Sequence, residues 1–298
     1  MSYMAETNRG NPSCFLFLID QSRSMQEGID PSRVQQLNEP LNVDNRTYTH
    51  VAQGRTKAQG VADAINRLLH NLVLKCARSE GVRDYYHVGV IGYGANVGPA
   101  FSGLLAGKEL VPISEVASSP ARIEERERKT EDGAGGLVNE KVRFPIWFEP
   151  AANGGTPMCG ALTGAKSILE RWLSQHPGCF PPIVINITDG EATDGDPAVP
   201  AEALKALSSA DGNVLLFNLH ISSQNASPKV FPDREEGLPD QHARLLFRMS
   251  STLPEYMRNF AQQEGITVSP NTRGFVFNAD MVAVIGFLEI GTVASNLR

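Results

Sequence analysis

Cysteines at metal or redox spacing are missing from this chain of 298 residues. Its four cysteines, Cys14, Cys76, Cys159 and Cys179, stand far apart, with no C-x-x-C pair and no Cys/His pattern at zinc spacing. That excludes a zinc finger and points to a reduced, cytoplasmic setting. The opening MSYMAETNRG lacks the basic-then-apolar order of a secretory signal. No apolar run reaches bilayer length, so no membrane location is expected. A clustered basic face is also lacking, and with a net charge of -6 the chain is not expected to bind nucleic acid. Its one dense charge run, Arg122 to Asp132, mixes both signs and reads as a solvated loop or short exposed helix. There is no G-x-S-x-G elbow, and His50, His70, His87, His176, His220 and His242 are scattered, which argues against a serine hydrolase.

What is present is an ordinary globular composition, 41% hydrophobic and 20% charged. Cys14 to Ile19 is a continuous apolar run ending at Asp20, the pattern of a strand buried on both faces. Ile183 to Ile187 is a second such run, ending near Asp189, and Tyr85 to Tyr93 and Asn213 to Ile221 are strand-like too. Between them, helical spacing marks Arg55 to Lys75, a helix from Met158 through Trp172 with Pro157 in its first turn, Ala198 to Ser208 and Leu253 to Gln263. Gly274 to Phe277 reads as a short strand and Met281 to Ile290 as a closing helix. Alternating strands and helices imply an α/β fold, a doubly wound, mainly parallel open sheet flanked by helices. One domain over 14–291 is expected, after an N-terminal extension at 1–13. Insertions are expected at 27–54, 95–150 and 222–241; the first reads as polar and irregular, and the second contains one possible strand, Lys141 to Phe148.

In such a sheet, ligands sit beyond the carboxyl ends of the strands. Three loops there carry oxygen donors. Asp20-Gln-Ser22-Arg-Ser24 offers a carboxylate and two hydroxyls at alternate positions; Gly154-Gly-Thr156-Pro presents a hydroxyl at a helix start; Thr188-Asp189-Gly-Glu191 is an acidic turn after a strand. Each has a local explanation when taken alone: turn chemistry for the acidic residues, an N-cap for Thr156. Together they offer only hard oxygens, which suits Mg²⁺, Mn²⁺ or Ca²⁺ and leaves room for water or an incoming carboxylate. Glu191 and Asp194 either orient those ligands or cap a helix. Arg23 and Met25 flank them and are expected to be exposed.

The set D-x-S-x-S, G-G-T-P and I-T-D-G-E resembles the metal-ion-dependent adhesion site of von Willebrand factor A (vWA) domains, residue for residue at Asp20, Ser22, Ser24, Thr156 and Asp189. The resemblance covers roughly Cys14 to Gly291 and implies a vWA/Rossmann-like fold. It implies that Ser22, Ser24 and Thr156 bind metal directly, with Asp20 and Asp189 binding directly or through water. Within the family it is similar to intracellular prokaryotic proteins of tellurium-resistance or kinase/phosphatase-linked systems. The expected role is that of an adaptor whose Mg²⁺ coordinates an Asp or Glu of another protein, and not that of an enzyme. The alternatives are a metal-dependent phosphoester-processing enzyme and a structural subunit whose metal braces the loops. Phosphatase chemistry of the haloacid-dehalogenase type needs a second Asp where Ser22 stands, and Gly92 to Gly98 lacks the lysine and spacing of a phosphate loop.

Overall fold

A strand covered on both faces sends alternate side chains into two cores, and β1 (Ser13–Asp20) does so. Phe15, Phe17 and Ile19 enter one core, Cys14, Leu16 and Leu18 the other. The computed structural model describes residues 3–28, 34–43, 46–52, 55–131, 137–222 and 227–278. After β1 come a hairpin, β2 (Val34–Val43) and β3 (Arg46–Ala52), and the helix α1 (Lys57–Cys76). A tight ladder, β4 (Ala77–Arg78) and β5 (Gly81–Val82), returns the chain to β6 (Tyr86–Tyr93), which is followed by β7 (Val97–Pro99), β8 (Val111–Pro112) and α2 (Ile113–Ser118). A second hairpin, β9 (Arg122–Glu131) and β10 (Leu137–Ile146), precedes α3 (Met158–Gln175) and β11 (Ile183–Thr188). Next are α4 (Ala198–Lys205), the short ladder β12 (Ser208–Ser209) and β13 (Gly212–Asn213), and β14 (Leu215–His220). The last elements are β15 (Lys229–Val230), α5 (Gln241–Met249), α6 (Glu255–Gln263) and β16 (Phe275–Phe277).

The main sheet runs β15-β16-β14-β11-β1-β6-β7, with β8 also on β6. Its centre, from β16 to β6, is parallel, and β7, β8 and β15 join antiparallel at the margins. Buried residues of α1, α2 and α6 fill one core and those of α3, α4 and α5 the other, so the sheet is doubly wound as the sequence implies. Burial of Val61, Ile65, Leu68, Leu69 and Leu72 in α1 contributes about 1.5–3 kcal/mol each. Thr56 and Gln59 close a capping box that fixes where this helix starts. From β1 the chain passes to β6 on one side, and β11 later pairs on the other. The order therefore reverses at β1, and the carboxyl end of β1 is where such sheets place their ligands.

Several expectations need correction. Arg122 to Glu131 is neither loop nor helix but a strand of the second hairpin, in a run where charges stand where sequence periodicity looks for apolar residues. The 27–54 stretch is not irregular, since β2 and β3 pair within it. Met25 is fully buried rather than exposed. Pro157 precedes the first residue of α3, and α4 ends at Lys205, short of Ser208. No periodicity in the sequence marks α5, β7 or α2. The expected helix at Met281 to Ile290 lies outside the described residues.

Candidate metal centre

β1 and β11 are parallel neighbours paired from Phe15↔Ile183 to Ile19↔Ile187, so Asp20 and the Thr188–Asp189 turn leave the sheet side by side. The Asp20 carboxylate accepts the Ser22 backbone N–H at 2.8 Å and the Thr188 hydroxyl at 2.6 Å. Ser22 and Ser24 share a hydroxyl hydrogen bond of 2.9 Å, and Ser24 donates to Asp189 Oδ1 at 2.7 Å. A Cβ placed on Gly190 would sit 3.7 Å from Thr156 Oγ1 and 4.0 Å from Ser24 Oγ, so the third loop reaches the same spot. All five residues singled out in the sequence are thus brought together.

Backbone contacts lock the loops. The Gln21 N–H donates to Tyr93 O (2.7 Å), Asn153 N–H to Gln21 O (2.6 Å) and Arg23 N–H to Gly154 O (3.1 Å). Such close approach requires glycine: a Cβ on Gly94 would lie 2.5 Å from Gln21 O, and Gly154 has φ +86° with Ala95 N 2.5 Å from where its Cβ would be. Thr156 and Thr193 exchange two bonds, Thr156 N–H to Thr193 Oγ1 (3.0 Å) and Thr193 N–H to Thr156 O (2.9 Å). Asp194 caps α3, accepting the N–H groups of Cys159 (3.0 Å) and Gly160 (2.8 Å). Burial works to raise its pKa, but those N–H donors hold the carboxyl below its usual range. Glu191 instead lies 3.5 Å from His242 Nε2.

The residue missed from sequence is Lys57, whose side chain is 2% exposed. Its Nζ donates to Asp189 Oδ2 and to Glu27 Oε2, each at 2.8 Å, and the Asp189 side chain is 0% exposed. A lysine at the start of a helix reads as a solvated charge, and no sequence period marks it as buried.

Burial pushes the Asp20 carboxyl above its usual range; hydrogen bonds from Ser22 and Thr188 pull it back, and the charge of Asp189 pushes it up again. Two carboxylates held this close in a poorly hydrated corner favour a cation between or beside them. The donors are carboxylate and hydroxyl oxygens alone, and Lys57 already sets one positive charge on Asp189. By donor chemistry the residues fit a hard divalent ion, which would share Asp189 with this ammonium. Among the described residues no group of three or more His, Cys, Asp or Glu side chains is placed to hold a metal ion, here or elsewhere, and the four cysteines are free. Among them, too, no helix is long and apolar enough to cross a membrane.

No family model and no curated protein matches the chain. Among solved structures it is similar to three N-terminal domains of the type V pili tip protein Mfa5 from Porphyromonas gingivalis, at 13% identity and a TM-score of 0.30, over 61% of this chain and 20% of that one. It is likewise similar to the vWF domain of Mfa5, at 14% identity and a TM-score of 0.29, over 61% of this chain and 39% of that one. The chain therefore spans well under half the length of either. The fold assignment rests on the strand order and register described above.

Proposed function

We propose that this chain is a metal-dependent protein–protein interaction module, an adaptor that holds Mg²⁺, or Mn²⁺ or Ca²⁺, and through it the Asp or Glu side chain of a partner protein. The observation that carries the reading is that three separate loops meet: Asp20, Ser22, Ser24 and Asp189 are joined by hydrogen bonds, and Thr156 and Ser24 both lie beside Gly190. These residues would hold the ion, which when bound supplies an electrophilic centre for an anionic ligand. Asp20 is anchored by Thr188 and the Ser22 N–H, and Asp189 by Ser24 and Lys57, so little side-chain entropy remains to be lost on binding. The resemblance to vWA proteins supports the partner's chemistry and a cytoplasmic role in a prokaryotic stress-response, signalling or defence system. We assign no catalytic residue. His220, at the end of β14, is buried, and burial lowers its pKa, so it is poorly placed to serve as a solvent-facing base.

Affinity purification of the full chain with and without chelator, coupled to mass spectrometry, tests the proposal. Partners recovered with wild type in Mg²⁺ should vanish with chelator and with Asp20→Ala. Recovery of the same partners by Asp20→Ala would refute the adaptor reading, and Asp20-dependent turnover of phosphoesters in Mg²⁺ or Mn²⁺ would replace it with the enzyme reading.

A further inference from the structure

An ammonium buried at the start of a helix is doubly disfavoured: it has lost its water, and it faces the positive end of the helix dipole. Lys57 is such a group, the first residue of α1 and 2% exposed. Helix stability does not account for it. Its Nζ lies on Asp189 Oδ2, while Asp189 Oδ1 takes the Ser24 hydroxyl, so the carboxylate is divided between the ammonium and the metal loops. On its other side Nζ holds Glu27, and the Lys57 N–H donates to Glu27 O at 2.9 Å, next to the Gly28↔Thr56 bridge that closes the 27–54 insertion.

We propose that Lys57 is a resident counter-cation of the metal centre: it holds Asp189 in place without metal and opposes a dication among the donors, and so sets the site's affinity for metal. This rests on the metal-binding reading above. Removing the ammonium acts twice in the same direction, because it takes away a repelling charge and leaves the buried Asp189 carboxylate seeking a cation.

The test is a Mn²⁺ titration of the full chain followed by electron paramagnetic resonance. Lys57→Met should bind Mn²⁺ about tenfold more tightly than wild type, the scale expected for a unit charge one carboxylate away from a dication. Lys57→Arg, which keeps the charge, should stay within about threefold of wild type. If Lys57→Met folds only when Mg²⁺ is present, the ion has taken over the ammonium's role and the proposal stands. Should it fold under neither condition, wild type labelled with ¹⁵N-lysine decides the matter: the Lys57 Nζ resonance must shift on Mg²⁺ addition. An unmoved resonance at saturating Mg²⁺, or equal or weaker Mn²⁺ binding by Lys57→Met, overturns the inference and leaves the metal site intact. Absence of Mn²⁺ binding in both wild type and Lys57→Met removes the metal reading and this inference with it.

Discussion

Two buried polar clusters share the central strands and close in different ways. Inside the sheet, Tyr93 donates to Asn186 Oδ1 (2.7 Å), Asn186 to Asn218 Oδ1 (2.9 Å), Asn218 to Ser250 Oγ (2.9 Å) and Leu246 O (3.2 Å), and Ser250 to Leu246 O (2.8 Å). Every member is neutral and completely buried, and the chain ends on a backbone carbonyl. At the carboxyl end of the sheet, the Asp20 and Asp189 carboxyls are linked through Ser22 and Ser24, and Asp189 also takes an ammonium from α1. The first cluster satisfies itself and has nothing to offer a ligand. The second balances its charge only with a cation, which makes it the better candidate for function even though both are equally inaccessible to a sequence-based count of polar residues.

The comparison can be broken by substitution. The largest effect is expected for Lys57→Met in the absence of divalent ions: a loss of about 3–5 kcal/mol in urea unfolding, because a buried carboxylate is left without its partner. Mg²⁺ should return part of that loss, and a cost below about 1 kcal/mol would mean the edge cluster is not held by charge. Asn218→Ala should cost about 2 kcal/mol, since it strands Asn186 and Ser250, and this deficit should be indifferent to Mg²⁺. Rescue by Mg²⁺ there would erase the distinction between the clusters. Tyr93→Phe removes a single link and should cost about 1 kcal/mol, again without metal dependence.

The smallest effect concerns pH. Burial lowers the pKa of His220, at the end of β14, below the ordinary histidine value of 6.5, so the folded state binds fewer protons than the unfolded one. Its contribution to stability is complete above that value and is lost as pH falls from there through the folded pKa. His87, also lowered first by burial and then by His176, acts in the same direction. The thermal midpoint should therefore drop between about pH 7 and pH 5.5, and His220→Gln should flatten that slope. An identical slope in the variant would show that His220 does not titrate across folding.

Legibility from the sequence followed the same division. Asp20 and Asp189 could be read because each closes a continuous apolar strand, and parallel pairing of those strands then puts their loops together. Thr156 was legible because glycines and a proline punctuate its loop at the start of a helix. Lys57 was not, because burial of a charged residue at a helix start leaves no period in the sequence. The β9 strand was hidden for a related reason: Arg122–Glu131 is charged at all but two positions, and its apolar Ile123 is exposed. In α5 the short segment Gln241–Met249 buries Ala243, Leu246, Phe247 and Met249 against the sheet, too few residues for helical spacing to stand out between prolines and loops.

The most direct measurement is Mn²⁺ binding to the purified full chain, with Ser24→Ala, Thr156→Ala and Asp189→Asn compared under the same conditions. Binding at a single saturable site, displaced by Mg²⁺ and weakened at least about tenfold by each substitution, is the expected result, because each removes a donor from a different loop or position. No saturable binding by wild type, or binding that survives all three substitutions, would contradict the assignment of a metal centre at this edge of the sheet.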